Sequence, residues 1–120
     1  MRATTREQGK KLRELGIDTD GADLFYRNDF DDDLKLRWEL ITDNVECLSW
    51  SFDALWEYIP KEFEPDLITL PFGTYSIILS LNDEANTVLM SDNHDSPIDA
   101  VYEMVVQLLE HGHINRNGGK

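Results

Sequence analysis

The clearest periodic pattern in the chain predicts a helix near its C-terminal end, between Ser96 and Gly112. Apolar residues recur there at spacings of three and four, which places them on one helical face; they are Ile98, Val101, Tyr102, Val105, Leu108 and Leu109. Ser96 suits the N-cap, and Pro97 suits the first helical position because no hydrogen bond is lost there. Gly112 suits the left-handed position that ends many helices. The apolar face of this helix therefore marks the core.

A first helix is predicted over residues 4–15 and ends at Gly16. Its start carries a capping-box pattern in two alternative registers, Thr4 with Glu7 or Thr5 with Gln8. The apolar face of this helix is thin, and Gly9 weakens its middle. We therefore expect it to need a tertiary or intersubunit surface for stability.

A short middle helix is predicted over residues 52–58, after Ser51 as N-cap and before Pro60. Alternating apolar and charged residues predict a half-buried strand over 34–40. The region 18–33 holds seven aspartates and is interpreted as an irregular connection with aromatic anchors. Three more strands with short links are predicted over 67–70, 75–81 and 87–90, with Pro71-Phe-Gly-Thr74 as the first turn.

The predicted order is α-β-α-β-β-β-α, which indicates an α+β fold. Short links between consecutive strands favour a small antiparallel sheet of three to four strands. We expect this sheet to pack against the C-terminal helix and the short middle helix. Residues 1–114 are predicted to form a single domain, and residues 115–120 a flexible tail.

Charge narrows the range of functions. The 120-residue chain has a formal net charge of −13, divided into +4 over residues 1–13 and −17 over the remainder. So acidic a body repels phosphate backbones, which disfavours direct nucleic-acid binding. The favoured interpretation of the charge is solubility, and the alternative is a surface that attracts a basic protein partner. No apolar run approaches the ~20 residues of a membrane span. The single cysteine, Cys47, cannot form an internal disulfide, so we expect a cytoplasmic protein.

Catalytic and metal-binding motifs are absent from the sequence. There is no Gly-rich phosphate loop, nucleophile elbow or zinc-protease motif, and we predict no cofactor. Cys47 with His94 formally supplies a nucleophile and a base, but Glu46 disfavours the thiolate. His111 and His113 lack a second Cys/His pair at zinc-site spacing.

An interaction surface is the better-supported hypothesis. Aspartates near the predicted strand and tryptophans near the middle helix are its candidates: Asp29, Asp31, Asp32, Asp33, Trp50 and Trp56. Aromatic residues are frequent in interaction hot spots. The alternative interpretation, which we favour for the tryptophans, is that they simply fill the core of a small domain.

Three segments carry a resemblance: Thr4 to Asp18, Trp50 to Pro60, and Ser96 to Met104. Together they resemble a group of small uncharacterised proteins associated with phages and prophage-like mobile elements of gut Bacteroidetes. That group shows a similar opening helix, a tryptophan-serine helix that ends in proline, and an Asn-Pro helix start where this chain has Ser96-Pro97. The resemblance implies a mobile-element accessory protein. It carries over no activity and no functional residue.

Three hypotheses follow. The leading one is a non-enzymatic accessory protein that acts through protein contacts. The alternatives are an acidic nucleic-acid mimic that blocks a basic site and an enzyme of an unrecognised class. We also expect self-association, because the basic first helix complements the acidic body of a second copy.

Overall fold

The computed structural model describes residues 3–28, 31–36, 48–81, 83–85 and 87–114, with the backbone alone for 19, 25–28 and 31–36. The described chain has three α-helices, namely α1 (Arg6–Glu14), α2 (Phe52–Trp56) and α3 (Pro97–Glu110). It also has six strands, namely β1 (Leu24–Asn28), β2 (Asp31–Leu36), β3 (Leu48–Ser49), β4 (Asp66–Leu70), β5 (Thr74–Ser80) and β6 (Val88–Met90). The predicted tail, 115–120, lies outside the described residues.

The strands form two antiparallel sheets of three strands each, in the orders β2-β1-β3 and β4-β5-β6. The second, here called the meander sheet, follows the chain directly, as the short links predict. Residues on β5 pack against α3, and α2 packs against α3. The predicted α+β class and the packing of a small antiparallel sheet against the C-terminal helix are therefore confirmed.

The predicted irregular connection over 18–33 is wrong for its second half. Leu24 to Asn28 form β1, which pairs with β2 on one side and with β3 on the other. β2 starts at Asp31, earlier than the predicted strand at 34. Paired neighbours supply the backbone hydrogen bonds of this hairpin, so tertiary pairing overrides the turn preference of aspartate. The end of the predicted strand, 37–40, lies outside the described residues.

Capping sets both ends of α1. The second predicted register of the capping box is present: Gln8 N donates to Thr5 Oγ1 over 3.1 Å, and Thr5 N donates to Gln8 Oε1 over 2.9 Å. At the other end Gly16 has a φ of 86°. Ile17 N then donates to the Leu12 carbonyl over 3.1 Å, as in a Schellman motif.

The predicted ends of α3 are confirmed too. Asp99 N donates to Ser96 Oγ over 3.4 Å. Gly112 has a φ of 74°, and His113 N donates to the Leu108 carbonyl over 2.8 Å. Gln8 Nε2 reaches across to Asp99 Oδ1 over 3.0 Å, so the first turns of α1 and α3 are joined.

The core gathers around one face of α3. Seven residues of this helix are buried: Ile98, Ala100, Val101, Met104, Val105, Leu108 and Leu109. Leu12 of α1, Leu55 of α2, and Ile77 and Leu79 of β5 belong to the same cluster. Among the described residues, no helix has both the length and the apolar character needed to cross a membrane.

Gly9 is buried because α1 lies directly against β3. A Cβ atom built on Gly9 would lie 2.6 Å from the Leu48 carbonyl oxygen, closer than real contacts allow. The glycine that weakens the isolated helix therefore permits the contact that stabilises the helix in the fold.

Gly9→Ala tests this contact, because helix propensity and packing predict opposite signs. In an isolated helix, alanine is more favourable than glycine by about 1 kcal/mol. We expect Gly9→Ala instead to lower the free energy of unfolding by about 1–3 kcal/mol, because backbone must move. Urea unfolding measures it, with exposed Lys10→Ala on the same helix as the control. A stabilised Gly9→Ala variant would contradict the contact.

Candidate functional site

One face of the meander sheet carries apolar residues that are not part of the core, alongside Asp66, Thr74, Ser80 and the buried Ser76. Side chains alternate across a strand, so the register places five apolar residues opposite the face that carries Ile77 and Leu79. We call these five the outer sheet face: Ile68, Leu70, Ile78, Val88 and Met90. None of them belongs to the core cluster or packs against it among the described residues. Val88 is 57% exposed and Met90 49% exposed, and the other three are half-buried.

The stretch of sequence that contains the meander sheet is acidic. From residue 62 to residue 114 the sequence contains ten Asp and Glu and no Lys or Arg. Asp66 lies on the outer sheet face itself, in one row across the strands with Ile78 and Met90. Four further exposed carboxylates flank the sheet in sequence: Glu64, Asp83, Glu84 and Asp92. An apolar centre with an anionic rim is the result.

The turn between β5 and β6 holds one rim carboxylate in its ionised form. Thr87 N donates to Asp83 Oδ1 over 2.8 Å. This backbone hydrogen bond lowers the pKa of Asp83 below its ordinary value. The hydrogen bond thus favours the charged form of a carboxylate in the turn that precedes β6.

The tip of the β4–β5 hairpin exposes an aromatic ring completely. Phe72 has a relative exposure of 102% and a φ of 69°, in the left-handed region. A non-glycine residue in such a conformation costs about 1–3 kcal/mol, and such strain is concentrated at functional sites. Phe72 lies in the turn that directly follows Leu70, at one end of the meander sheet.

A second feature is a hydrogen-bond node at Tyr58, just after α2. Its hydroxyl accepts from Trp50 Nε1 and from Gly21 N, each over 3.1 Å, and donates to the Asp18 carbonyl. Burial raises the pKa of the Tyr58 phenol above its ordinary value. One hydroxyl therefore joins the segment after α1 to β3 and α2.

A surface depression of about 320 Å³ lies beside this node. It is lined by Asp18, Gly21, Ala54, Glu57 and Tyr58. Two of the lining residues carry carboxylates, and Glu57 is exposed. The depression thus combines an aromatic ring with negative charge.

A third feature is a polar cluster on α3. His94 Nε2 lies 2.6 Å from Glu103 Oε1, and Gln107 Nε2 donates to Glu103 Oε2 over 2.6 Å. The two oxygens of Glu103 also accept from Asp92 N over 3.1 and 3.0 Å. Glu103 thereby ties the loop before α3 to the helix. No group of three or more His, Cys, Asp or Glu placed to hold a metal occurs in the described part of the chain.

The residues predicted from the sequence to form an interaction surface do not lie together in the described part of the chain. Trp50 has no exposed surface and lies in the core, as the alternative interpretation of the tryptophans allowed. Trp56 is half-buried and stacks on Phe52, with ring centroids 5.4 Å apart. Asp31, Asp32 and Asp33 lie on β2, where the backbone alone is described. Asp29 and the candidate nucleophile Cys47 lie outside the described residues.

The outer sheet face was missed by the sequence reasoning. Its signal is present in the apolar spacing of Ile68 and Leu70 and of Val88 and Met90. Ile78 is hidden inside the run Ile77-Ile78-Leu79, in which both faces of the strand are apolar. That run becomes informative only when the pairing register is known.

Tyr58→Phe tests the node. It removes the acceptor of the buried Trp50 indole N–H, so we expect a loss of about 1–3 kcal/mol in the free energy of unfolding. Tyr102→Phe makes the same change at a hydroxyl without a hydrogen bond to another described residue. An equal effect of the two substitutions in urea unfolding would contradict a special role for Tyr58.

The pH dependence gives an independent readout of the same substitution. The pKa of Tyr58 is raised in the folded chain, so the unfolded chain loses its proton first as the pH rises. The contribution to stability is therefore complete below the ordinary pKa of about 10 and is lost above it. We expect Tyr58→Phe to show a shallower alkaline loss of stability than the unmodified chain.

The chain was compared with protein-family models, with curated proteins and with solved structures, and no match was found. No family is therefore assigned. Its function has to be inferred from the outer sheet face, the depression beside Tyr58 and the charges around them.

Proposed function

We propose that the chain is a non-enzymatic protein-interaction domain that binds a basic amphipathic segment of a partner protein on its outer sheet face. One observation carries the proposal. Val88 and Met90 are about half exposed within a stretch of sequence that contains no Lys or Arg. The partner segment would cover the apolar centre with its own apolar side chains and place its cations against the acidic rim.

The apolar part of the face is sufficient to anchor a partner. Burial of one Val or Met side chain contributes about 1.5–3 kcal/mol. A few such anchors supply most of the energy of a typical interface. Exposed Val88 and Met90 lie beside half-buried Ile78, so the anchors are contiguous. Because α3 covers the other face of the same sheet, a partner helix on the outer face would complete a three-layer arrangement.

The charged part of the face selects the partner. A group of carboxylates without neighbouring cations attracts cationic segments toward the surface and repels phosphate groups. Asp66 lies within the apolar row itself, and a backbone hydrogen bond favours the charged form of Asp83. The proposed partner is therefore a basic protein segment rather than nucleic acid or an anionic membrane.

The alternatives predict different arrangements. A nucleic-acid mimic needs its carboxylates on one continuous face. Among the described residues, exposed carboxylates are not confined to one element, which favours the docking proposal; they occur on α1, α2, β4, in the β5–β6 turn and at the end of α3, and include Glu7, Glu14, Asp53, Glu57, Asp66, Asp83, Glu84 and Glu110. An enzyme built on Cys47 depends on a residue outside the described part of the chain.

The biological setting follows from the resemblance of the three segments. It supports an accessory role in a phage or another mobile element, in the cytoplasm. Self-association remains part of the proposal, because Lys10 and Lys11 are exposed on α1 and complement an acidic surface. Sedimentation at low and high salt distinguishes a charge-driven dimer from one that is indifferent to salt.

Binding of a designed probe tests the outer sheet face. The probe is a synthetic helical peptide of leucine and lysine with one apolar and one cationic face, titrated by calorimetry. We expect saturable binding that weakens with added salt. Val88→Thr with Met90→Gln removes apolar anchors, so we expect the affinity to fall by about tenfold or more.

The matched control is Leu67→Asn, which makes an apolar residue polar on the same sheet but on the opposite face. It should leave the affinity within about twofold. Binding that falls equally in the control, or equal binding of a leucine and glutamate peptide, would contradict the proposal.

Phe72→Asn separates a docking role from a structural one. Asparagine tolerates a positive φ and the exposed ring makes no buried contact, so we expect stability to rise by about 0.5–1 kcal/mol. If the ring contacts the partner, the same variant binds the leucine and lysine peptide more weakly. Thermal unfolding and calorimetry on one sample measure both effects. If the variant is more stable than the unmodified chain and binds the peptide with equal affinity, Phe72 is not part of the docking surface.

A further inference from the structure

We infer that the depression beside Tyr58 is a pocket for an arginine side chain, separate from the outer sheet face. The proposed function enters only as the source of the arginine, namely a basic partner protein. The pocket itself is built from α2 and the segment after α1, and no residue of the meander sheet lines it.

The size of the depression suits a single side chain. Its volume of about 320 Å³ lies at the lower end of the range for ligand sites, which begins at about 300 Å³. Ala54 and the Tyr58 ring offer apolar surface for the methylene groups of a long side chain. Asp18 and Glu57 also line the depression, and we assign their carboxylates to the charged end of that side chain.

The pocket is organised before any ligand arrives. Three hydrogen bonds use the Tyr58 hydroxyl completely, so the ring is fixed and is the part of Tyr58 that remains to contact a ligand. A Cβ atom on Gly21 would lie 2.3 Å from the Tyr58 hydroxyl oxygen, so a side chain at this position would break the arrangement. Asp20 N donates to Asp18 Oδ1 over 2.9 Å and orients that carboxylate.

Arginine fits this chemistry better than lysine does. Its planar guanidinium stacks on aromatic rings and presents several N–H donors in a fixed geometry to carboxylates. It is also less strongly hydrated than an ammonium group, so entry into a partly apolar pocket costs less. The juxtaposition of a fixed tyrosine ring with two carboxylates therefore favours a guanidinium.

The test uses small probes and the intact chain labelled with ¹⁵N. N-acetyl-arginine amide is titrated while amide signals are followed by NMR. The lysine and citrulline amides serve as controls, because citrulline has the shape of arginine without its charge. We expect saturable shifts at Gly21, Ala54, Glu57 and Tyr58 with arginine, a weaker response with lysine and none that saturates with citrulline.

Two variants make the assignment specific. Glu57→Gln should weaken arginine binding by about threefold to tenfold, while Glu110→Gln, which removes the same charge at the end of α3, should leave it unchanged. Both positions are exposed, so folding is preserved, and far-ultraviolet circular dichroism checks it. Equal weakening by the two variants, equal shifts with citrulline, or the absence of saturable shifts would overturn the pocket.

Failure of this site is distinguishable from failure of the outer sheet face. Val88→Thr with Met90→Gln alters binding of the leucine and lysine peptide but should leave the arginine titration unchanged. If that double variant abolished the shifts at Gly21 and Tyr58, the arginine response would belong to the sheet and the pocket would be overturned.

Discussion

The hydrogen bonds around buried Trp50 are the constraint on which the described fold depends. The Trp50 indole N–H donates to Tyr58, its backbone N–H donates to Thr4 Oγ1 over 3.1 Å, and its carbonyl accepts from Thr4 N over 2.9 Å. An indole N–H without an acceptor would cost about 1–3 kcal/mol in so dry a position. Satisfying it brings the start of the chain, β3 and the end of α2 together. The depression beside Tyr58 is a by-product of the same node.

The helices and the meander sheet pack in layers beside these hydrogen bonds. α2 packs on α3, α3 covers one face of the meander sheet, and the other face keeps apolar residues outside the core. Contiguous exposed apolar residues with a polar rim are candidates for contact with a partner. The acidic rim and the strained, exposed Phe72 lie on or near the same sheet. The core and the proposed docking surface thus lie on different faces of the sheet, so the proposed binding residues can be changed without loss of the core.

Sequence reasoning succeeded where the signals are local. Caps at Ser51 and Ser96 and the stops at Gly16 and Gly112 depend on a few neighbouring residues, and each lies where it was predicted. Sequence reasoning failed where contacts between distant segments determine the structure. The strand that begins at Leu24 pairs with β2 on one side and with β3, more than twenty residues later, on the other. Glycine is needed at position 9 because the Leu48 carbonyl lies against it. The residues of the outer sheet face share one face because of the pairing register of β5. Long-range pairing is invisible to periodicity within one window.

Hydrogen exchange tests the central claim, that the outer sheet face is the docking surface, most directly. Amide exchange is followed by mass spectrometry for the chain alone and with the saturating leucine and lysine peptide. The account predicts added protection in peptides that cover β4, β5 and β6, with α1 unchanged. Protection confined to α1 and α2, or no change anywhere under saturating conditions, would contradict it.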